Sequence, residues 1–223
     1  MRVIELHASV TLSNDRDAEK LRNEMTEKGV LLVNLMSSAG SGKTTLLSRI
    51  ITDLKGKASI AVLEADIDSA VDAEKIESLG ALSVQVHTDG MCHMDAGMTR
   101  EGLEAMDLTG IDIAFLENIG NLICPAEYDT GAHKCVMILS VPEGDDKPLK
   151  YPLMFEKSDA LIITKTDAMP YFDFDMEKVK ERVLRLNPDI RIFPVSAKTR
   201  EGMEALETWL CGEAAALRET ADA

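Results

Sequence analysis

Val30-Leu-Leu-Val-Asn-Leu-Met36 runs into Ser37-Ser-Ala-Gly40-Ser-Gly42-Lys43-Thr44, and a helix-favouring pattern follows over residues 44–54. An apolar strand, a glycine-rich turn and a helix in that order read as a phosphate-binding P-loop. The glycines clear side chains from a loop whose successive backbone N–H groups must face phosphate oxygens. Lys43 adds a point charge near the outer phosphates, Thr44 offers a hydroxyl to Mg²⁺, and the helix turns its positive N-terminal end toward the anion. The expected ligand is a nucleoside triphosphate with magnesium, bound by Gly40, Ser41, Gly42, Lys43, Thr44 and Thr45. Ser37 stands where the motif asks for glycine.

Outward from this unit, residues 58–64, 82–86, 111–116, 135–141, 160–164 and 190–195 read as further strands. Residues 68–79 (closed by Gly80), 97–106, 176–186 and 200–216 read as helices. Seven near-continuous apolar strands interleaved with helices predict an α/β fold, a doubly wound, mostly parallel seven-stranded sheet covered on both faces. In such sheets ligands sit at the C-terminal ends of the strands. Residues 14–28 form a charged, helix-favouring stretch that Gly29 closes, expected as a short appendage to a single domain spanning residues 1–223.

Twenty-four basic residues against 39 acidic ones give a net charge of −15, which repels nucleic-acid phosphates and anionic membrane surfaces. Neither is expected as a partner. The opening MRVIELHASV lacks the basic start and long apolar stretch of a signal peptide, and no apolar run approaches the ~20 residues that cross a bilayer. A cytoplasmic location is expected. Cys92, Cys124, Cys135 and Cys211 have no disulfide-framework spacing, so they are read as buried hydrophobes or metal ligands.

The strand at 160–164 ends in Thr164-Lys165-Thr166-Asp167, which resembles the base-reading Asn-Lys-x-Asp motif of G-proteins. A carboxylate at Asp167 can accept two hydrogen bonds from guanine's ring N–H and exocyclic amine, while the stem of Lys165 covers the ring. Thr164 replaces the usual Asn and puts one supporting hydrogen bond in question. Ser196-Ala197-Lys198 follows the last strand and matches the G-protein loop whose backbone amide reads the guanine oxygen. Asp66 and Glu117, at the ends of the second and fourth strands, are the expected carboxylates for Mg²⁺ beside Lys43 and Thr44. Glu117-Asn-Ile-Gly120 has the Asp/Glu-x-x-Gly form, so the Gly120 amide can sense the terminal phosphate. Asn121 follows it in place of a water-orienting Gln, so slow intrinsic GTP hydrolysis is expected, a timing switch more than a metabolic enzyme. Asp68 and Asp72 are read as stabilising a helix start.

Cys92-His93 lies in the loop after the third strand and Cys124-Pro125 in the loop after the fourth, both on the nucleotide edge. Two thiolates and an imidazole make a borderline-soft donor set suited to Zn²⁺ or Ni²⁺, with at least one position left to another ligand.

From about Val10 to Leu217 the sequence is similar to the hydrogenase nickel-incorporation GTPases, the HypB-type maturation factors. The similarity is carried by residues 34–45, Cys92-His-Met-Asp-Ala96, Glu117-Asn-Ile-Gly-Asn-Leu-Ile-Cys-Pro-Ala126 and Glu143-Gly-Asp-Asp-Lys-Pro-Leu-Lys-Tyr-Pro152. The resemblance implies a P-loop GTPase of the dimeric metallochaperone group, with Ni²⁺ or Zn²⁺ on Cys92, His93 and Cys124 near a nucleotide-dependent homodimer interface. It also implies a role for the Lys147–Lys150 loop at the partner subunit's nucleotide. The partners it implies are a second nickel-binding maturation factor and a hydrogenase large-subunit precursor. No cysteine motif or His-rich tract precedes the P-loop, so storage of several nickel ions is not expected. The urease-accessory GTPases share this fold but are expected to present Cys-Pro-His. The remaining readings are a non-catalytic metal-binding scaffold with a vestigial P-loop and a related dimeric ATPase, which would carry a lysine near Ser38 or Ala39.

Overall fold

The computed structural model describes residues 6–66, 76–88 and 90–221. Helix α1 (Leu6–Glu27) leads into β1 (Leu31–Ser37), α2 (Lys43–Asp53), β2 (Ile60–Asp66), β3 (Leu82–His87), α3 (Ala96–Glu104), β4 (Ile113–Gly120) and β5 (Lys134–Ser140). Two short helices, α4 (Lys147–Lys150) and α5 (Pro152–Glu156), precede β6 (Ala160–Thr164), α6 (Met176–Leu186), β7 (Arg191–Pro194) and α7 (Met203–Ala221). The seven strands form one sheet in the order β3-β2-β4-β1-β5-β6-β7, and every recorded pairing is parallel. The expected doubly wound sheet is therefore present. Helix α1 starts at Leu6, eight residues before the expected Asn14, and α4 and α5 were not anticipated. The helix expected over 68–79 lies largely outside the described residues, as do Asp68 and Asp72, and only residues 76–78 of it are seen as helical.

Alternation of side chains along β1 divides the core into two faces. Leu31, Val33 and Leu35 pack with Leu46 and Ile50 of α2 and with Leu206, Trp209 and Leu210 of α7. On the other face Val30 and Leu32 join Leu21 and Met25 of α1 and Leu103 of α3. Farther along the same face, Met36 packs with Met154 and Phe155 of α5 and Val179 and Val183 of α6. Fully apolar strands of this kind need cover on both sides, and burial of their side chains supplies most of the driving force for folding.

Polar bonds then tie α1 to the segment that follows β4. Arg22 makes a two-pronged pair with Asp129, 2.7 Å to each carboxylate oxygen, and its Nε donates to Ala132 O at 2.9 Å. His133 Nδ1 accepts the Leu32 N–H at 3.0 Å, while Nε2 lies 3.1 Å from Arg22 O, which assigns the neutral tautomer with its proton on Nε2. Burial, with repulsion from Arg22 and Lys134, lowers its pKa from 6.5 to about 4.

The unfolded chain takes up a proton on His133 from about pH 6.5, but the folded chain does so only near pH 4. Stability is therefore complete with respect to this group above that window and falls as pH drops through it. In urea melts, the wild-type midpoint should decline more steeply between these pH values than that of His133→Asn, which can keep an acceptor for Leu32 N–H. Parallel pH profiles would refute this role for His133.

Candidate functional site

Because all strands run parallel, the loops after β1, β2, β4 and β6 open on one edge. A cleft of about 480 Å³ lies there, lined by Gly40, Gly42, Lys43, Thr44, Thr45, Glu64, Glu117, Asn118, Gly120 and Lys165, among others. Gly40 and Gly42 have φ of 75° and 95°, left-handed values that let the loop curl back so that α2 can begin at Lys43.

Ser37, in the motif's first position, is fully buried and acts as a hub of this loop. Its Oγ donates to Ser38 O at 2.8 Å and accepts from Ser41 Oγ at 2.8 Å and Lys43 Nζ at 2.9 Å. A glycine could not hold the lysine in this way. Ser38 Oγ bonds the carboxylate of Glu143, whose other oxygen caps Ser140 N at 2.8 Å, so the loop after β5 is tied to the P-loop. Gly120 closes the far side. A Cβ there would lie 2.9 Å from Ala39 N and 3.0 Å from Ala39 Cα, too close for any other residue without moving backbone.

Two acidic residues stand beside Thr44. Thr44 Oγ1 lies 3.3 Å from Glu117 Oε1, and Glu117 is directly opposite Glu64 on the neighbouring strand. Both are buried on the α2 face. Glu64 was missed in the sequence. Its signal is a charge in the otherwise apolar Ile60-Ala-Val-Leu-Glu-Ala65, two residues before the strand-end Asp66. Asp66 ends β2, and its side chain lies outside the described residues. An all-oxygen set of one hydroxyl and two carboxylates fits a hard divalent cation such as Mg²⁺.

The residues expected to read the base also converge. Thr164 Oγ1 donates to Ser41 O at 2.7 Å, so the Thr that replaces Asn still makes a bond from β6 to the P-loop. Lys165, at φ 59°, donates from Nζ to Gly40 O at 2.8 Å. Ser196 Oγ donates to Asp167 Oδ1 at 2.7 Å, which brings the loop of Ser196, Ala197 and Lys198 against the carboxylate, and Arg49 of α2 holds Ala197 O at 3.1 Å. Lys147 and Lys150 form α4 and are not among the residues lining the cleft. Lys150 pairs with Asp146 at 2.5 Å, and Lys147 lies 5.8 Å from the Tyr151 ring centre.

Cys92, His93 and Cys124 come together although they lie on two loops. One donor atom from each falls within 4.8 Å of the others, and the two sulfurs are 2.9 Å apart. His93 stacks on Tyr128 at a centroid distance of 3.9 Å, which fixes the ring. Burial lowers its pKa against the pull of Asp95 and Glu127, which favours the neutral imidazole that a metal requires. The Cys124 thiol is pushed up by its bond to Cys92 and by burial. Cys135 and Cys211 stand apart from this set. Cys135 lies on β5, its thiol pushed up to about 12 by burial, and Cys211 packs against the α2/α7 core.

The pattern of a nucleotide-binding domain, CobW/HypB/UreG, matches residues 31–194, which run from the first residue of β1 to the last of β7. The chain belongs to the CobW/HypB/UreG family. Within that family it is 44% identical to the hydrogenase maturation factor HypB of Rhizobium leguminosarum over 94% of this chain and 70% of the relative. It is 41% identical to HypB of Escherichia coli K12 over 94% of this chain and 72% of the relative. The structure of Helicobacter pylori HypB in complex with nickel superposes with a TM-score of 0.87 at 36% identity, covering 91% of this chain and 95% of that one. Among the described residues no helix is long and apolar enough to cross a membrane.

The contact of Gly120 with the P-loop makes this family member sensitive to one methyl group. Gly120→Ala should cost about 1–3 kcal/mol of stability by overpacking, and should weaken binding of a fluorescent guanine nucleotide at least several-fold. An unchanged melting temperature and affinity would mean that the two segments separate freely.

Proposed function

We propose that this chain is a GTP-hydrolysing metallochaperone. It binds Ni²⁺ or Zn²⁺ on Cys92, His93 and Cys124 and assists nickel insertion into a [NiFe]-hydrogenase precursor. The observation that carries the reading is the convergence of two thiols and one imidazole from the loops after β3 and β4, the second of which follows directly on Gly120 in the wall of the phosphate cleft. It is supported by the HypB relatives and by the nickel in the Helicobacter pylori protein. In this reading the chain forms a single nucleotide-binding domain, with α1 packed on one face of its sheet. It works in the cytoplasm as a nucleotide-dependent homodimer, alongside a second nickel-binding maturation factor.

In this reading the Gly40, Ser41, Gly42, Lys43, Thr44 and Thr45 amides and Lys43 Nζ hold the phosphates. Lys43 must leave Ser37 Oγ to reach them, so the Ser37 hydroxyl serves as its resting partner. Thr44, Glu117, Glu64 and Asp66 supply the oxygens for Mg²⁺, which neutralises phosphate charge when bound. Gly120 senses the terminal phosphate, and Asp167, with Lys165, Ser196, Ala197 and Lys198, reads guanine. No glutamine stands after Gly120 to orient water, so turnover is slow. Gly120 is four residues from Cys124, a span of at most ~14 Å, so a shift of the phosphate sensor reaches the metal loop. GTP and GDP states then differ in metal affinity, and metal changes nucleotide affinity by the same factor.

Guanine and adenine nucleotides should separate clearly. Opposite adenine the Asp167 acceptors lose their donors, at a cost on the order of a few kcal/mol, so GDP should bind at least tenfold tighter than ADP in competition titrations. Equal affinities would remove the guanine assignment. Lys43→Ala should lose triphosphate binding while its melting temperature holds.

Metal affinity should rise with pH, because binding must displace a proton from the raised Cys124 thiol. The expected slope is about tenfold per pH unit for each proton displaced. Titration of Ni²⁺ and Zn²⁺ should find the tight site lost in the Cys92→Ala/Cys124→Ala double variant and kept in Cys135→Ala and Cys211→Ala. Tight binding that survives the double replacement would place the metal on other ligands.

A further inference from the structure

Asn118 interrupts an apolar face. It follows Ala114 and Leu116 on the core side of β4, yet it is an amide at 0% exposure. A buried amide needs partners, and these bonds run in two directions. Its Oδ1 accepts the Met94 N–H at 3.2 Å and the Ile119 N–H at 2.9 Å. Two N–H donors on one atom identify it as the oxygen, so the amide nitrogen points the other way, where it donates to Asn34 Oδ1 at 3.1 Å. Asn34 is itself 1% exposed and lies on β1 three residues before Ser37, while Met94 follows His93 directly. Asn118 also lines the phosphate cleft, two residues before Gly120. One side chain thus joins the root of the P-loop, the strand that ends in the phosphate sensor and the loop that carries Cys92 and His93.

A second asparagine makes a contrasting tie. Asn14 of α1 accepts the Ala96 N–H at 3.0 Å and donates to Asp129 O at 2.8 Å, so it links the Cys92–His93 segment to the Cys124 segment without lining the cleft.

We propose that Asn118 is the positioning residue through which the nucleotide sets the geometry of the metal site, whereas Asn14 only holds the two ligand-bearing loops together. The proposal rests on the reading above that nucleotide state and metal affinity are linked. When the end of β4 moves with Gly120, Asn118 either carries Met94 along and displaces the adjacent His93 and Cys92, or gives up its bond and releases the loop that holds them. Coupling therefore runs through a hydrogen bond to the first loop as well as along the chain to Cys124.

The test is titration of Ni²⁺, with Co²⁺ as a spectroscopic probe of thiolate coordination, into the full chain with GDP and with a non-hydrolysable GTP analogue. Asn118→Leu removes all three side-chain bonds, matches the number of side-chain heavy atoms and suits the apolar face, so it should still fold, at a melting temperature lowered by the polar groups it leaves unpaired. Asn118→Asp is the rescue, because its side-chain oxygen keeps the acceptor for the Met94 N–H, the bond to the metal loop on which the proposal turns. In the wild type the two nucleotide states should differ in Ni²⁺ affinity by at least about 5-fold, the lower end of ordinary coupling. Asn118→Leu should bring this ratio to within about 2-fold of unity, with the thiolate-to-Co²⁺ band no longer shifting between nucleotides, and Asn118→Asp should restore it. Asn14→Ala should weaken Ni²⁺ in both states by one common factor. A wild-type ratio of one would overturn the linkage reading and this assignment together. A wild-type ratio that persists in Asn118→Leu would leave linkage standing and overturn Asn118 alone, as would an Asn14→Ala variant that loses the ratio equally.

Discussion

Every strand of the sheet runs in the same direction, and the arrangement of the site depends on that constraint. In a parallel sheet all C-terminal ends share one edge, so the P-loop after β1, the carboxylates of β2 and β4 and the Thr164–Asp167 turn after β6 meet without any long excursion of chain. The same geometry delivers the metal loops, since Cys92-His93 follows β3 and Cys124 follows β4. The two apolar faces make the alignment obligatory. A strand buried on both sides cannot slip or reverse without exposing its core residues or orphaning its backbone groups.

A chain of net charge −15 that is built to hold a polyanion must solve the electrostatics locally. Backbone N–H groups at the start of α2 supply part of the answer, and Lys43 and Lys165, both bonded to the P-loop, supply the rest. Glu64 and Glu117 carry the opposite sign in the same cleft, and in the proposed reading a cation between them and the phosphates balances that charge. The chemistry of the donors sorts the two proposed metal sites. Oxygens from Thr44, Glu64 and Glu117 form the hard set, and sulfur and imidazole from Cys92, Cys124 and His93 form the soft one.

Around this edge, small polar contacts set distances that the apolar core cannot. Leu and Val side chains hold sheet and helices together without direction, but the spacing of two loops to within the reach of one metal ion needs directional bonds. Asn14, Asn118 and the Arg22–Asp129 pair provide these, and the stacking of His93 on Tyr128 removes a rotation of the imidazole. Ser37 performs a similar service inside the P-loop, where its hydroxyl holds Lys43 in a defined resting place.

The sequence by itself determined the architecture and pointed to the chemistry. Strand and helix periodicity, together with Gly40-Ser-Gly-Lys-Thr44, specify a doubly wound sheet with a P-loop, because those signals are local and are read within a dozen residues. Thr164-Lys-Thr-Asp167 and Ser196-Ala-Lys198 point to guanine for the same reason, and Cys92, His93 and Cys124 stand out as soft ligands by type alone. What the sequence left unresolved depends on contacts between distant segments. Glu64 gained its place beside Glu117 from strand register, and Thr164 replaced the missing Asn bond by reaching Ser41, 123 positions away. Asn118 and Asn14 look like ordinary polar residues until the fold brings Met94, Asn34, Ala96 and Asp129 to them. Only the tertiary structure decided these roles, because a hydrogen bond depends on distance and direction in space, and neither is a function of separation along the chain.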